Sequence, residues 1–133
     1  MPNKNAIFLA ALLLSATLPA ASRAADLAKL QAMSQAISRN ENSIAPPALN
    51  ALIVKDRHDY TLVDVRAPVD YQTGHIKGAR NVPLPKLFSG DEIDKLRRAP
   101  KVVLYSATGE QAAQAAVLLR MADVKAVALA GGF

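Results

Sequence analysis

Residues 101–121 read KVVLYSATGEQAAQAAVLLRM, which predicts a strand, a short loop and a helix in immediate succession. The unbroken apolar run at 102–105 is typical of a strand buried on both faces of a parallel sheet. Residues 110–121 are rich in Ala, Gln and Leu, which favour a helix. Because backbone N–H groups gather where such a helix begins, the loop at 106–111 is a natural cradle for an anion.

Similar elements flank this unit on both sides. Strands are predicted at Ile44 and at residues 61–65, 79–82 and 124–129, and helices at residues 26–40, 46–54, 68–74 and 91–98. Proline and glycine residues punctuate these segments at the predicted boundaries. The alternation of strands and helices predicts an α/β domain, in which a mainly parallel sheet carries helices on both faces.

The first predicted helix has Asp26 as its N-cap candidate. Its apolar residues Leu27, Leu30, Met33 and Ile37 fall near one face. Such a stripe usually packs on the helix's own domain, which is the interpretation we favour. The alternative is a helix that docks on a partner or on a second copy.

The N-terminus has the features of a bacterial export signal. Lys4 precedes an apolar run at residues 6–21, which is shorter than the ~20 apolar residues that a membrane span needs. Ser22 and Ala24 place small residues where a signal peptidase cuts after Ala24. We therefore expect a signal peptide at 1–24, an N-terminal helix and linker at 25–43, and a domain at 44–133. The product is expected to be periplasmic or secreted, with no stable membrane span after cleavage.

The composition excludes several classes of function. The chain has no cysteine, so disulfides, thiolate nucleophiles and cysteine metal sites are impossible within it. His58 and His75 lie far apart, which argues against zinc, and we predict no metal and no cofactor. Aromatic residues make up 5% of the chain, and Lys4 and Arg23 supply two of its +5 net charges. We therefore predict no nucleic-acid partner.

Four motifs that follow one another along the chain indicate more about the function than the strand–loop–helix unit does alone. They are Asp64-Val65-Arg66, Gly74-His75-Ile76-Lys77-Gly78-Ala79, the strand and loop at 102–109, and the late pair Gly131-Gly132. Together they resemble the rhodanese-like (sulfurtransferase) domain family from about residue 44 to residue 133. The resemblance implies a five-stranded parallel sheet flanked by helices, with an active-site loop formed by Ser106, Ala107, Thr108, Gly109, Glu110 and Gln111.

Two positions of this loop depart from the family. Active members begin the loop with a cysteine that carries a persulfide, and this chain has Ser106 there. They commonly have an arginine at the sixth position, where this chain has Gln111. Serine cannot store a persulfide, and its hydroxyl does not ionise near neutral pH without a partner base. In addition, Glu110 repels an incoming anion.

The remaining motif residues are assigned structural roles. We expect Asp64 and Arg66 to pair near the sheet edge, with Asp70 as a further partner of Arg66. A tight turn is predicted at Gly74, His75 and Gly78, and we expect the His75 side chain to hold the backbone of this turn in place. A serine-hydrolase interpretation of Ser106 is disfavoured, because Leu104 stands where the G-x-S-x-G elbow needs glycine.

The sequence thus predicts an exported, catalytically degenerate rhodanese-like domain that acts as a binding or structural module. Its expected partner is an unknown periplasmic protein or a small anion. The alternative is a sulfurtransferase-family enzyme with residual or altered activity on a bound anion. The resemblance also implies a final helix after the glycine pair, so we expect either exposed apolar surface at Leu129 or Phe133 or a chain that continues past residue 133.

Overall fold

The computed structural model describes residues 20–133. These residues belong to two compact units that divide between Ala32 and Met33. The described part of the first unit is helical, and the second unit contains the whole sheet. The predicted export signal covers residues 1–24, of which 1–19 lie outside the described residues.

Five parallel strands form one sheet, as predicted. They are β1 (Ser43–Ile44), β2 (Thr61–Asp64), β3 (Arg80–Asn81), β4 (Val102–Tyr105) and β5 (Ala126–Leu129). Their order across the sheet is β1-β5-β4-β2-β3, and all four pairings are parallel. The apolar run at 102–105 lies at the centre, where a strand is covered on both faces.

Side chains of β4 alternate between two apolar clusters, one on each face of the sheet. Val102 and Leu104 join the cluster that contains Leu119 of the following helix. Val103 and Tyr105 join the cluster that contains Leu49. Since successive strand residues point to opposite faces, this alternation shows that helices cover both sides of the sheet.

In residues 20–133, one helix precedes β1 and five helices lie between the strands. They are α1 (Ala20–Ser38), α2 (Pro46–Val54), α3 (Pro68–Thr73), α4 (Leu84–Leu87), α5 (Gly90–Arg97) and α6 (Glu110–Met121). Helices α2 and α6 have the predicted bounds, and Gly74 ends α3 as expected. Among the described helices, none combines the length and the hydropathy that crossing a membrane requires.

Two sequence predictions for the first helix were wrong. Helix α1 begins at Ala20, so Asp26 lies inside the helix and is not its N-cap. The expected core stripe at Leu27, Leu30 and Ile37 is at least half exposed, and Ala36 is the residue of α1 that is buried.

The short helix α4 was not predicted. Pro83 and Pro85 were interpreted only as the end of a strand, but Pro85 is accommodated in the first turn of α4, where no intrahelical N–H bond is needed. The fully buried Leu87 anchors this helix in the core.

Candidate functional site

The loop between β4 and α6 lies at the carboxyl edge of the parallel sheet. Strand β4 ends at Tyr105, and α6 begins at Glu110. The ends of β2 and β5 lie on either side, because both strands pair with β4 in parallel. In open parallel sheets, binding sites form beyond this edge.

Ser106 is 1% exposed and lies at the start of the loop. Its Oγ accepts hydrogen bonds from the backbone N–H groups of Gly109 and Ala112, both at 3.2 Å. Two donors of the expected cradle therefore point at a side chain of the loop itself. The hydroxyl acts as a cap at the start of α6, in the way that serine satisfies free N–H groups at helix ends.

The other side chains of the loop point outward. Ala107, Thr108, Glu110 and Gln111 are exposed, whereas Gly109 is buried. Gly109 adopts φ +87°, a left-handed conformation that favours glycine. The outer rim of the loop therefore presents a carboxylate and an amide and has no cation of its own.

The late glycine pair packs directly on this loop. A Cβ added to Gly132 would lie 2.6 Å from the carbonyl oxygens of Ser106 and Ala107 and 2.7 Å from the Gly109 nitrogen. The next residue, Phe133, donates its N–H to the Ser106 carbonyl at 2.9 Å. Only glycine fits such a close backbone approach, which fixes the end of β5 against the loop.

Asp64 and Arg66 form a buried ion pair beside the loop. Asp64 is fully buried and accepts the backbone N–H of Arg66 at 2.9 Å and its Nη2 at 2.7 Å. Arg66 Nη2 also donates to the Gly74 carbonyl at 2.7 Å. The predicted pairing of Asp64 with Arg66 is thus present, while Gly74 takes the position expected for Asp70.

Tyr105 completes this network from the end of β4. Its hydroxyl accepts the N–H of Ile76 at 3.1 Å. Burial raises the pKa of Tyr105 to about 12, and the neighbouring carboxylate adds to the rise. Burial alone would raise the pKa of Asp64 as well, but the hydrogen bonds from the Arg66 side chain and backbone outweigh burial and hold that pKa below its usual range.

Aromatic contacts join the network to the C-terminal residues. The Arg66 guanidinium lies 3.9 Å from the ring centroid of Phe133, and the rings of Phe133 and Tyr105 stack at 6.0 Å. Sequence reasoning missed both aromatic residues as parts of the site. Phe133 is more than half exposed while Leu129 is buried, so of the two expected apolar residues Phe133 is the exposed one.

His75 stacks on Tyr71, with ring centroids 3.8 Å apart, and its Nδ1 lies 2.9 Å from the Tyr71 carbonyl oxygen. Gly78 has φ +84°, as the tight turn requires. The Ser106 hydroxyl accepts the N–H groups of Gly109 and Ala112, and His75 Nδ1 lies against the Tyr71 carbonyl, so no hydrogen bond in the structure joins Ser106 and His75 as a nucleophile and a base. Across residues 20–133, no three His, Asp or Glu side chains are grouped so as to hold a metal ion.

The chain is similar to known proteins over most of its described length. The family model Rhodanese-like domain matches residues 46–133. The probable adenylyltransferase/sulfurtransferase MoeZ of Mycobacterium tuberculosis is 39% identical over 72 residues, which are 53% of this chain and 18% of that protein. The chain thus corresponds to less than a fifth of the length of this relative.

Solved structures agree with the family match. A rhodanese-related protein from Thermoplasma volcanium is 28% identical with a TM-score of 0.59, covering 68% of this chain and 85% of that one. The human single-domain sulfurtransferase TSTD1 is 22% identical with a TM-score of 0.53, covering 69% and 91%. At that identity, the human structure supports the fold alone.

Proposed function

Because the chain belongs to the rhodanese-like domain family, we propose that it is an exported member that has lost sulfur transfer and acts as a binding or structural module. The observation that carries this proposal is the Ser106 hydroxyl. It stands where the resemblance calls for the nucleophile, and two backbone N–H groups already hold it as a cap. Among the described residues, the hydrogen bonds of this hydroxyl are to backbone N–H groups and not to a basic side chain, and a hydroxyl cannot store sulfane sulfur.

The surroundings of the loop support the same proposal. Glu110 is exposed on its rim, and Gln111 stands where active members commonly have an arginine. The Arg66 guanidinium, just past the end of the adjacent strand β2, is nearly buried and paired with Asp64. A dianion such as thiosulfate would therefore meet one free carboxylate and no free cation on the loop.

The second candidate is a sulfurtransferase-family enzyme with residual or altered activity. The similarity to MoeZ favours it, since that protein is described as a probable sulfurtransferase. The retained loop geometry favours it too, because N–H groups still converge at residue 106. A phosphatase-like role on the same loop would need the same absent thiolate.

We expect no thiosulfate:cyanide sulfur transfer by the wild-type protein. In a Ser106→Cys variant, thiolate attack would break the S–S bond of thiosulfate, release sulfite and leave a persulfide. Cyanide would then remove the outer sulfur as thiocyanate and regenerate the thiolate. We expect this variant, or Ser106→Cys with Gln111→Arg, to form measurable thiocyanate, because the N–H groups of Gly109 and Ala112 can stabilise a thiolate as they hold the hydroxyl now.

The matched control is Ser106→Ala, which leaves the other loop residues unchanged but has no sulfur or hydroxyl at position 106. It should be as inactive as the wild type. Thiocyanate formation by the wild type above the rate in buffer would overturn the proposed loss of transfer and establish the second candidate.

Export is tested separately. When the full chain is expressed in a bacterium, we expect periplasmic protein that begins at Ala25, because small residues precede the bond after Ala24. N-terminal sequencing of the periplasmic fraction checks this. An Ala24→Leu variant should accumulate uncleaved, and a wild-type product that retains Met1 in the cytoplasm would refute the proposed export.

A further inference from the structure

Cations that lie far apart in the sequence meet at the amino edge of the sheet, opposite the candidate loop. The chain enters strands β2, β3, β4 and β5 through residues 55–60, 74–79, 98–101 and 122–125. These four segments contain six Lys and Arg residues and three Asp residues, so their net charge is +3 with His neutral. The chain leaves the strands at the other edge through residues 45, 65–67, 82–83, 106–109 and 130–133. The charged residue of those segments is Arg66, which is paired with Asp64, so the positive charge is gathered at the amino edge.

Two of the lysines lie side by side at this edge. The Thr61 N–H bonds to the Lys101 carbonyl, and the Val102 N–H bonds to the Lys125 carbonyl, both at 2.8 Å. Lys101 and Lys125 therefore occupy the same level in front of two neighbouring strands, which lie about 4.8 Å apart in a sheet. Since like charges repel each other at such a separation, an anion placed against both would be attracted to the pair.

The cations continue as a row along the edge. The strand order β5-β4-β2-β3 places the segments that contain Lys125, Lys101, Lys55 and Lys77 one after another. Four strands at the usual spacing make this row about 15 Å long. Within residues 20–133, no ion pair involves any of these four lysines. We call these residues the lysine row.

Helix dipoles account for only part of this charge. Helices α2, α5 and α6 run back from the opposite edge and end beside the lysine row. Each contributes about half a negative charge at its C-terminal end, or roughly 1.5 charges together. The net charge of +3 in the four segments exceeds that amount, so the edge retains a positive charge that can attract a ligand.

Exposed apolar side chains flank the lysine row. Val54 at the end of α2 is 74% exposed, and Met121 at the end of α6 is 50% exposed. Helix α2 packs on one face of the sheet through Leu49, and α6 packs on the other through Leu119. One apolar residue therefore lies on each side of the row. Cations next to exposed apolar side chains suit the interface of an anionic bilayer, where phosphates and acyl chains lie close together.

We propose that the amino edge of the sheet binds the surface of a bilayer that contains anionic phospholipids. The lysine row lies against the headgroup phosphates, and Val54 and Met121 reach toward the acyl boundary. A soluble polyanion would satisfy the lysines but leave both apolar side chains in water. In this orientation the loop at 106–111 faces away from the bilayer. The inference goes beyond the proposed function and does not depend on the loss of sulfur transfer.

The test measures the partition of the full chain into sucrose-loaded phosphatidylcholine vesicles, with and without phosphatidylglycerol, at low salt. The readout is the ratio of the two partition coefficients, because residues 1–24 are the same in every variant. We expect the wild type to prefer the vesicles that contain phosphatidylglycerol. Lys101→Gln and Lys125→Gln should each lower the ratio about fivefold, the effect of one cation near an anionic surface. High salt should bring the wild-type ratio close to one, since it screens exposed charges.

Lys86→Gln is the control variant, because Lys86 is exposed on α4, outside the four segments of the amino edge. It removes the same charge and should leave the ratio nearly unchanged. A wild-type ratio close to one at low salt, or equal losses in Lys86→Gln and the two edge variants, would overturn the inference. So would binding to soluble polyglutamate as tight as binding to the vesicles, since the edge would then recognise charge alone. The sulfur-transfer assay contains no lipid, so a failure of the proposed function is detected separately.

Discussion

A Gly132→Ala variant is expected to lose about 3 kcal/mol or more of its free energy of unfolding. Gly132 has φ +79°, which costs an L-residue roughly 1–2 kcal/mol. The added methyl would also lie 2.6–2.7 Å from three backbone atoms of residues 106, 107 and 109. Backbone atoms cannot rotate away as a flexible side chain can, so either the loop or the end of β5 must move.

Gly131→Ala is the control for the conformational part of this cost. Gly131 has φ +81°, but a Cβ there meets nothing within 4 Å. It should therefore cost only the roughly 1–2 kcal/mol of the left-handed backbone. Urea unfolding followed by far-UV circular dichroism measures both variants, since the chain has no tryptophan. Equal losses would show that the close approach of Gly132 to the loop is not a constraint.

An Asp64→Asn variant is expected to cost about 3–5 kcal/mol, the range for breaking a buried ion pair by removing one partner. Asp64 is fully buried, and the Arg66 side chain is only 9% exposed. The amide keeps the shape but cannot balance the guanidinium or accept all the bonds that the carboxylate accepts. Because Arg66 also contacts Gly74 and Phe133, the substitution should also destabilise the turn after α3 and the C-terminal residues.

Asp59→Asn is the matched control, because Asp59 pairs with Arg57 at a site where both side chains are about half exposed. Exposed pairs contribute little, so this change should be close to neutral. If Asp64→Asn costs no more than Asp59→Asn, the buried network does not stabilise the site.

The pH dependence of stability gives a second measurement on Asp64→Asn. Asp64 has a lower pKa in the folded chain than in the unfolded chain. Its contribution is therefore present above the unfolded pKa of about 4 and is lost as the pH falls through the folded value. Wild-type stability should decline over this acid range, and Asp64→Asn should decline less.

The centre of the fold was predictable because its residue pattern matches its burial in the structure. The apolar run at 102–105 has no polar face, and it became the central strand of a parallel sheet. The bounds of α6 were predicted correctly because Ala, Gln and Leu favour a helix and Gly109 precedes it. The Asp64–Arg66 pair was predictable because two opposite charges at one strand end must be satisfied near a buried edge.

The errors arose where local signals conflict with tertiary packing. The stripe on α1 has a helical period, but period alone does not show what a helix packs against, and Leu27, Leu30 and Ile37 are exposed. Proline indicated a strand end at 83–85, whereas the buried Leu87 stabilises a helix there. Likewise, Asp70 was expected as a further partner of Arg66, and the turn after α3 brings the Gly74 carbonyl to Arg66 instead.

By itself, the sequence determined the fold class and showed that residue 106 has no thiol that could carry a persulfide. Both conclusions follow from residue identity and local pattern. Only the tertiary structure decided what Ser106 does. Its hydroxyl is a buried cap on the N–H groups of Gly109 and Ala112, and Gly132 from the end of β5 closes over the loop. These contacts depend on segments distant in the chain meeting at one sheet edge, and distances between such segments are set by packing and not by local sequence.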